Sequence, residues 1–452
     1  MEKGHTVVGE IIRLFPFQEE GAAWLSARSK ALLADQQGLG KTIQAVSGAD
    51  RISAERVLVV CKAVGRRHWV REFEQHGQIH RRAQMPRPGD TIDPTARLVV
   101  VHYDVLHRPE ILKQLIRLRF DLLLVDEMHA LKAGQGSLRG QVVLDPRRGL
   151  AQRARSTWGL SGTPAPNHAG DLHPWLSSLH PHLLGERLAN SYDAFLQHYC
   201  RAEQTPYGWR VRGNRKDRIK ELKGMLSGVM LRRKRVDVLP DLPPLRVDTV
   251  ALDPDTRSSV AQLEAHPDMQ AVRDVLLSLD VDENPEAATR AWENDLSTLR
   301  RFTGLAKVRS MIDLLKSELE GTDKIVVMGW HPEALDLLAE GLREYQPVVV
   351  HGRTAPDEKE QAEEAFQTDP DRRVFVGNIL SAGTTITLTA AHRLIFMESS
   401  WVPGENEQAL LRILRIGQEH PCEVSFAYLP DSIDEIIQSV AARKAGMLTD
   451  FM

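Results

Sequence analysis

Ten short apolar runs, separated by longer segments of helical period, fall into two sets of five. The first set is ALLA (31–34), VLVVC (57–61), LVVVH (98–102), LLLV (122–125) and WGLS (158–161). The second is KIVVM (324–328), PVVVH (347–351), RVFVG (373–377), RLIFM (393–397) and VSFAYL (424–429). Runs rich in Val, Leu and Ile that alternate with helices are the pattern of parallel sheets with crossover helices. The fold class expected is therefore α/β, with two lobes and helical insertions. The segment VLPDLPPLR (238–246) carries three prolines in five positions, which resist both helix and central strand.

That segment sets the expected boundary: a first lobe over 1–240, with a basic helical protrusion from about 172 to 240, and a second over 241–452. The second lobe is expected to carry a helical insertion at about 253–305 and a terminal helix at about 431–446. The net charge of −3 gives no global sign of a polyanionic partner, but charge is unevenly placed. From Arg201 to Pro240 basic residues outnumber acids 12 to 4, whereas from Asp253 to Arg300 acids lead 11 to 4. Cys61, Cys200 and Cys422 form no C-x-x-C pair, which argues against a zinc site or a disulfide framework and for buried thiols. No apolar run suits a signal sequence or a membrane span, so a cytoplasmic location without membrane partners is expected. The compact chain and its preference for Arg over Lys suggest a prokaryotic or viral gene.

Four segments carry chemistry. In ALLADQQGLGKTIQAV (31–46), Gly38 and Gly40 suit a loop that turns backbone N–H groups toward an anion, at the start of a helix. Lys41 would reach the β and γ phosphates of a nucleotide and Thr42 would put a hydroxyl on magnesium. An ordinary strand-to-helix turn reads the same way, and in the pattern G-x-x-x-x-G-K-[ST] the first glycine would fall at Asp35. LLLVDEMH ends an apolar strand on Asp126, a candidate magnesium ligand, and Glu127, a candidate base for an attacking water; paired acids there also cap helices. GLSGTPAPN (159–167) places Ser161, Gly162 and Thr163 at another strand end, as a hinge or simply a turn. QALLRILRIGQ (408–418) spaces Arg412 and Arg415 three apart, on one side of an expected helix, where they could stabilise charge on a transferring phosphate or form a solvated face.

These segments, together with LFPFQEEGAAWL, VLVVCKAVGRRHW, VVHYDVL, KIVVMGWHPEALDLLAEGL and SAGTTITLTAA, resemble the ordered helicase motifs of the Swi/Snf-type branch of superfamily 2. The resemblance covers nearly the whole chain and implies two RecA-like lobes, ATP and Mg2+ as cofactors, and DNA-stimulated ATP hydrolysis. In that branch the loop commonly reads D-E-x-G-L-G-K-T, so Asp35 is expected where other nucleotide-binding loops have glycine. By the same likeness Gln18 is the adenine-reading residue and Arg412 and Arg415 the arginine pair. His129 and Gln408 couple the lobes, with Ser161, Gly162, Thr163 and Gly383 in the hinge segments. The stretch from Pro206 to Pro244 further resembles the annealing-helicase (HepA-related) subgroup, which acts on forked and branched DNA, and the HARP accessory domain of that subgroup is expected to be lacking. Thr385 and Ile386 stand where the family usually has a glycine, and Leu411 where an acid is common, which leads us to expect weakened coupling of hydrolysis to motion.

Three basic clusters are expected to meet DNA phosphates without reading sequence: Lys62, Arg66 and Arg67; the arginines from Arg139 to Arg155; and Arg210, Arg212, Arg232 and Arg233. Trp209 in the last cluster suits packing better than a base wedge. The function expected is a monomeric ATP-dependent motor on duplex, forked or otherwise branched DNA, with reannealing, branch migration or protein displacement as its output. A nucleotide-gated DNA clamp with little turnover and an RNA helicase are the alternatives.

Overall fold

The computed structural model describes residues 14–205, 208–239, 243–253, 285–382, 386–400, 403–432, 434–439 and 441–442. The chain divides into two compact units, Met1–Val238 and Leu239–Met452.

The first unit holds β1 (Lys30–Leu33), β2 (Val57–Cys61), β3 (Ala83–Gln84), β4 (Leu98–His102), β5 (Leu122–Asp126) and β6 (Ser156–Leu160). With β9 (Met230–Leu231) they form a parallel seven-stranded sheet of order β3-β4-β2-β5-β6-β1-β9. Every residue of β2 is buried, Leu58 and Val60 in one core and Val57, Val59 and Cys61 in another. Alternate side chains thus feed two apolar layers, which is why these strands read as unbroken hydrophobic runs.

The second unit is built the same way. Its parallel sheet joins β10 (Leu245–Ala251), β11 (Ile325–Gly329), β12 (Val348–Val350), β13 (Val374–Asn378), β14 (Arg393–Phe396) and β15 (Cys422–Tyr428). Their order is β10-β15-β14-β11-β13-β12, and Val326 and Met328 face one core while Ile325 and Val327 face the other. The edge strand β10 begins directly after the proline segment, a place where a missing amide costs little.

Two helical expectations are corrected. The protrusion holds an antiparallel hairpin, β7 (Cys200–Thr205) and β8 (Gly208–Asn214), rather than helix alone. Along β8 the side chains alternate: Trp209 and Val211 pack on the core while Arg210 and Arg212 face solvent, a period of two that no helix accommodates. Trp209 also donates to Asp193 (2.8 Å), so it serves packing. The helix of QALLRILRIGQ stops at Leu410, and Arg412 and Arg415 follow on turns. The Leu388 amide takes the Arg412 carbonyl (2.9 Å) and the Gln418 side chain takes that of Ile413 (3.1 Å), which draws both out of the helical ladder.

Of the acidic insertion, 254–284 lies outside the described residues, and a helix runs over Pro285–Glu318. The terminal helix is described only at 434–439 and 441–442. All three cysteines are buried and unpaired, and no helix among the described residues is long and apolar enough to cross a membrane.

Candidate nucleotide site

In a parallel sheet all strands end at one edge, and the order β5-β6-β1 brings three of the predicted segments side by side there. Leu160 pairs with both Leu33 and Asp126, so the residues that follow these three strands are immediate neighbours.

After β1 the loop turns through Gly38 (φ 84°) and Gly40 (φ 69°), left-handed angles open to glycine at little cost. Gly40 is the N-cap of the helix Lys41–Arg51 and supplies no side chain to its first amides, and the first turn carries no acid. An uncapped helix start of this kind favours an anion. Lys41 Nζ donates to the carbonyls of Asp35 (2.9 Å) and Gln36 (3.4 Å), which holds the amine over the loop. Thr42 follows on the same first turn. Gln18 lies buried against the loop: its Nε2 donates to the Leu39 carbonyl (3.4 Å), and its Oε1 accepts from the Phe15 amide (3.1 Å). A side chain on Gly40 would strike it, so the sequence needs glycine there twice over.

At the end of β5, Asp126 accepts from Trp69 Nε1 (2.9 Å) and from the Glu127 amide (3.0 Å). Its carbonyl accepts from the Tyr103 hydroxyl (2.6 Å). Burial, then the charge of Glu127, push the Asp126 carboxyl up to about 6, against the pull of Trp69 and Lys41. Glu127 adopts a left-handed backbone (φ 50°, ψ 54°), a conformation a non-glycine residue holds only when its surroundings enforce it. Its Oε2 is buried without a hydrogen-bond partner, 3.3 Å from His129 Nδ1. His129 Nδ1 also lies 3.0 Å from Ser161 Oγ, and Ser161 Oγ accepts from the Thr163 amide (3.2 Å). Burial lowers the His129 pKa, favouring the neutral ring. Gly162 touches the loop, since a Cβ there would lie 2.6 Å from Gln37. Lys41, Asp126, Glu127, His129 and Ser161 to Thr163 are therefore brought together on one sheet edge. Trp69 and Tyr103, which fix Asp126, were not marked by spacing or by charge.

The raised Asp126 pKa has a consequence for stability. The folded state binds a proton more tightly than the unfolded chain, so this group stabilises the fold below its ordinary value near 4 and loses that contribution as pH rises to about 6. Without ligand, the thermal midpoint should fall between pH 4 and 6 by an increment that Asp126→Asn abolishes; an unchanged slope in the variant would contradict the assignment.

The second unit places Arg412 and Arg415 against one segment. Arg412 donates to the carbonyls of Gln408 (3.1 Å) and Ile386 (3.4 Å), and Arg415 donates to Thr387 Oγ1 (2.9 Å). Ile386 and Leu411 are both buried in the apolar core of this unit. Gly383 and Thr385 lie outside the described residues.

The basic clusters divide. Arg210, Arg212 and Arg232 are exposed, and Arg212 pairs with Glu203 (3.0 Å). Lys62 and Arg67 are half-buried, and Arg66 turns toward the Pro86 carbonyl (3.4 Å). Arg233 is a correction: its side chain is 10% exposed and its guanidinium lies on Asp35, Gln44, the Phe17 carbonyl and Glu20 (3.2 Å), because the backbone after β9 runs beside the loop and turns it onto Asp35. Among the described residues no cluster of His, Cys, Asp and Glu has the makings of a multi-ligand metal centre.

The SNF2-related domain family matches residues 17–269, and the helicase conserved C-terminal domain family matches residues 306–417. The SWI/SNF-related matrix-associated actin-dependent regulator of chromatin subfamily A-like protein 1 of Drosophila melanogaster is 26% identical over 446 residues, 97% of this chain and 56% of that protein. The human DNA annealing helicase and endonuclease ZRANB3 is 27% identical over 457 residues, 96% of this chain and 40% of that protein. The chain thus spans about half the length of the curated relatives it matches. Among solved structures, the Sulfolobus solfataricus SWI2/SNF2 ATPase core in complex with dsDNA is 21% identical, with a TM-score of 0.43 over 98% of this chain and 93% of that one.

Proposed function

The chain belongs to the SNF2-related family and carries a helicase C-terminal domain, and on that premise we propose that it is a DNA-stimulated ATP hydrolase that translocates on duplex DNA. The observation that carries the chemistry is Glu127 beside Asp126, its Oε2 buried without a hydrogen bond and 3.3 Å from His129 Nδ1, at the sheet edge that also holds the glycine loop. An acid held there in a strained backbone suits a base that positions and deprotonates water. The glycine loop and Lys41 take the phosphates, and Gln18, packed on the same loop, reads the base.

A divalent cation fits the same edge: Asp126 offers a buried, destabilised carboxylate and Thr42 a hydroxyl, the oxygen donors that magnesium shares with nucleotide phosphates. When bound it would neutralise charge on the β and γ phosphates. Arg412 and Arg415, by the family pattern, are assigned to stabilise the transferring phosphoryl group. His129, Ser161, Thr163, Gly383 and Gln408 are assigned to coupling. Arg210, Arg212 and Arg232, with Lys62 and Arg67, are assigned to backbone phosphates of DNA, a contact that reads charge and not sequence. Strand reannealing on forked or branched DNA is the motor output we favour, supported by the annealing-helicase name of the human relative.

Steady-state phosphate release is the test, measured with no nucleic acid, single-stranded, duplex and forked DNA, and RNA. Stimulation by duplex DNA is expected, greater on forks if reannealing is the output. Binding of ATP with no stimulated turnover would make the protein a nucleotide-gated clamp, and stimulation by RNA alone would overturn the DNA assignment.

A further inference from the structure

The acid that replaces the first glycine of the phosphate loop has a partner at the far end of the same unit. Asp35 is fully buried and the Arg233 side chain is 10% exposed. Arg233 reaches Asp35 three times: Nη2 to Oδ2 (2.5 Å), Nε to Oδ1 (3.1 Å) and its own backbone amide to Oδ1 (3.1 Å). Its Nη2 also donates to Gln44 Oε1 (2.8 Å), while Gln44 Nε2 donates to Asp35 Oδ2 (3.2 Å) and to the Leu39 carbonyl (3.0 Å). A planar guanidinium fork is suited to this two-oxygen contact in a way an ammonium is not.

The backbone runs in step with the side chains. Amides of Leu32, Ala34 and Gln36 donate to the carbonyls of Val229 (2.9 Å), Leu231 (2.7 Å) and Arg233 (3.0 Å), and the Arg235 amide donates to Gln36 Oε1 (2.9 Å). Residues 229–235 therefore extend β9 as a strap along the rising arm of the loop. The carbonyls of Asp35 and Gln36 are in turn the ones that hold Lys41 Nζ. The first unit ends at Val238, so this strap is the chain by which the polypeptide leaves it.

We infer that Arg233 is a positioning residue for the phosphate loop, and that the strap at 229–235 transmits displacement of the exit chain to Asp35 and Lys41. The acid in the loop is there to receive this arginine. The inference rests on the nucleotide-hydrolase reading above.

The test compares wild type with Asp35→Gly, Arg233→Lys and the double variant Asp35→Gly/Arg233→Met, reading thermal midpoint, KM for ATP and kcat. Asp35→Gly restores the common loop glycine yet leaves the Arg233 guanidinium, 10% exposed, with only the solvent-facing Glu20 carboxylate (3.2 Å) and neutral acceptors, so midpoint and ATP affinity should both fall. The double variant removes that charge and should recover the midpoint. Its KM should nevertheless stay raised about tenfold, the weight of roughly one charge-assisted hydrogen bond. Arg233→Lys should keep the midpoint closer to wild type than Asp35→Gly does and still raise KM. A double variant that regains wild-type KM along with its midpoint would reduce the pair to packing and overturn the inference. A wild-type protein that hydrolyses no ATP and binds no fluorescent ADP analogue would instead overturn the hydrolase reading, and the inference with it.

Discussion

Glu127→Gln is expected to lower ATP turnover by about 10²–10⁴-fold, the usual weight of a general base, while nucleotide binding persists. The substitution keeps the side chain's shape and removes only its charge and its basicity. It also has a consequence for stability that points the other way. The Glu127 charge is the second cause of the raised Asp126 pKa, so a neutral amide relieves a like-charge contact beside a buried carboxylate. The Gln variant should therefore melt higher than wild type at pH 7 while being catalytically poor, as expected where a site stores strain for function. Single-turnover hydrolysis, titration with a fluorescent ADP analogue and thermal melts read the three quantities separately. Turnover within threefold of wild type would remove Glu127 from the role of base; a lower midpoint would contradict the electrostatic account.

The sheets and the nucleotide edge were legible because buried parallel strands are apolar on both faces, and the residues that follow them fall at a single edge. LLLV, VLVVC and the run before Gly38 left little choice of structure. The basic run Arg232 to Arg235 shows where the legibility ends. Composition presents it as one patch, yet burial divides it: Arg232 and Lys234 are exposed, whereas Arg233 is clamped on Asp35 and Arg235, which opens the helix Arg235–Val238, is 1% exposed. The partner lies 198 residues away in sequence, and no local pattern encodes such a pairing. The hairpin was hidden for a related reason, since arginines alternating with Trp209 and Val211 resemble a solvated helical face until strand pairing gives the alternation a direction. The helix end at Leu410 depends on Leu388 and Gln418 capturing carbonyls, which are tertiary contacts.

Lys41→Ala is expected to weaken ATP binding at least about tenfold and to lower hydrolysis by about 10²–10³-fold or more, because it removes the one charged donor of the loop's first turn. The amine does more than meet a phosphate. It holds the carbonyls of Asp35 and Gln36, and its charge opposes the upward shift of Asp126, so its loss should push the Asp126 carboxyl higher still. The variant should consequently need more magnesium at pH 6 than at pH 8, since a protonated Asp126 is a poor cation ligand. It leaves the Asp35–Arg233 pair intact, however, so the shape of the loop should survive and the melting midpoint should move little. That contrast separates two ways of disabling the site. Lys41→Ala removes the phosphate's partner from a loop that remains in place, whereas Asp35→Gly keeps the partner and releases the loop that aims it. If Lys41→Ala hydrolyses ATP at the wild-type rate, the phosphate is held elsewhere, and the glycine loop is only a turn from strand to helix.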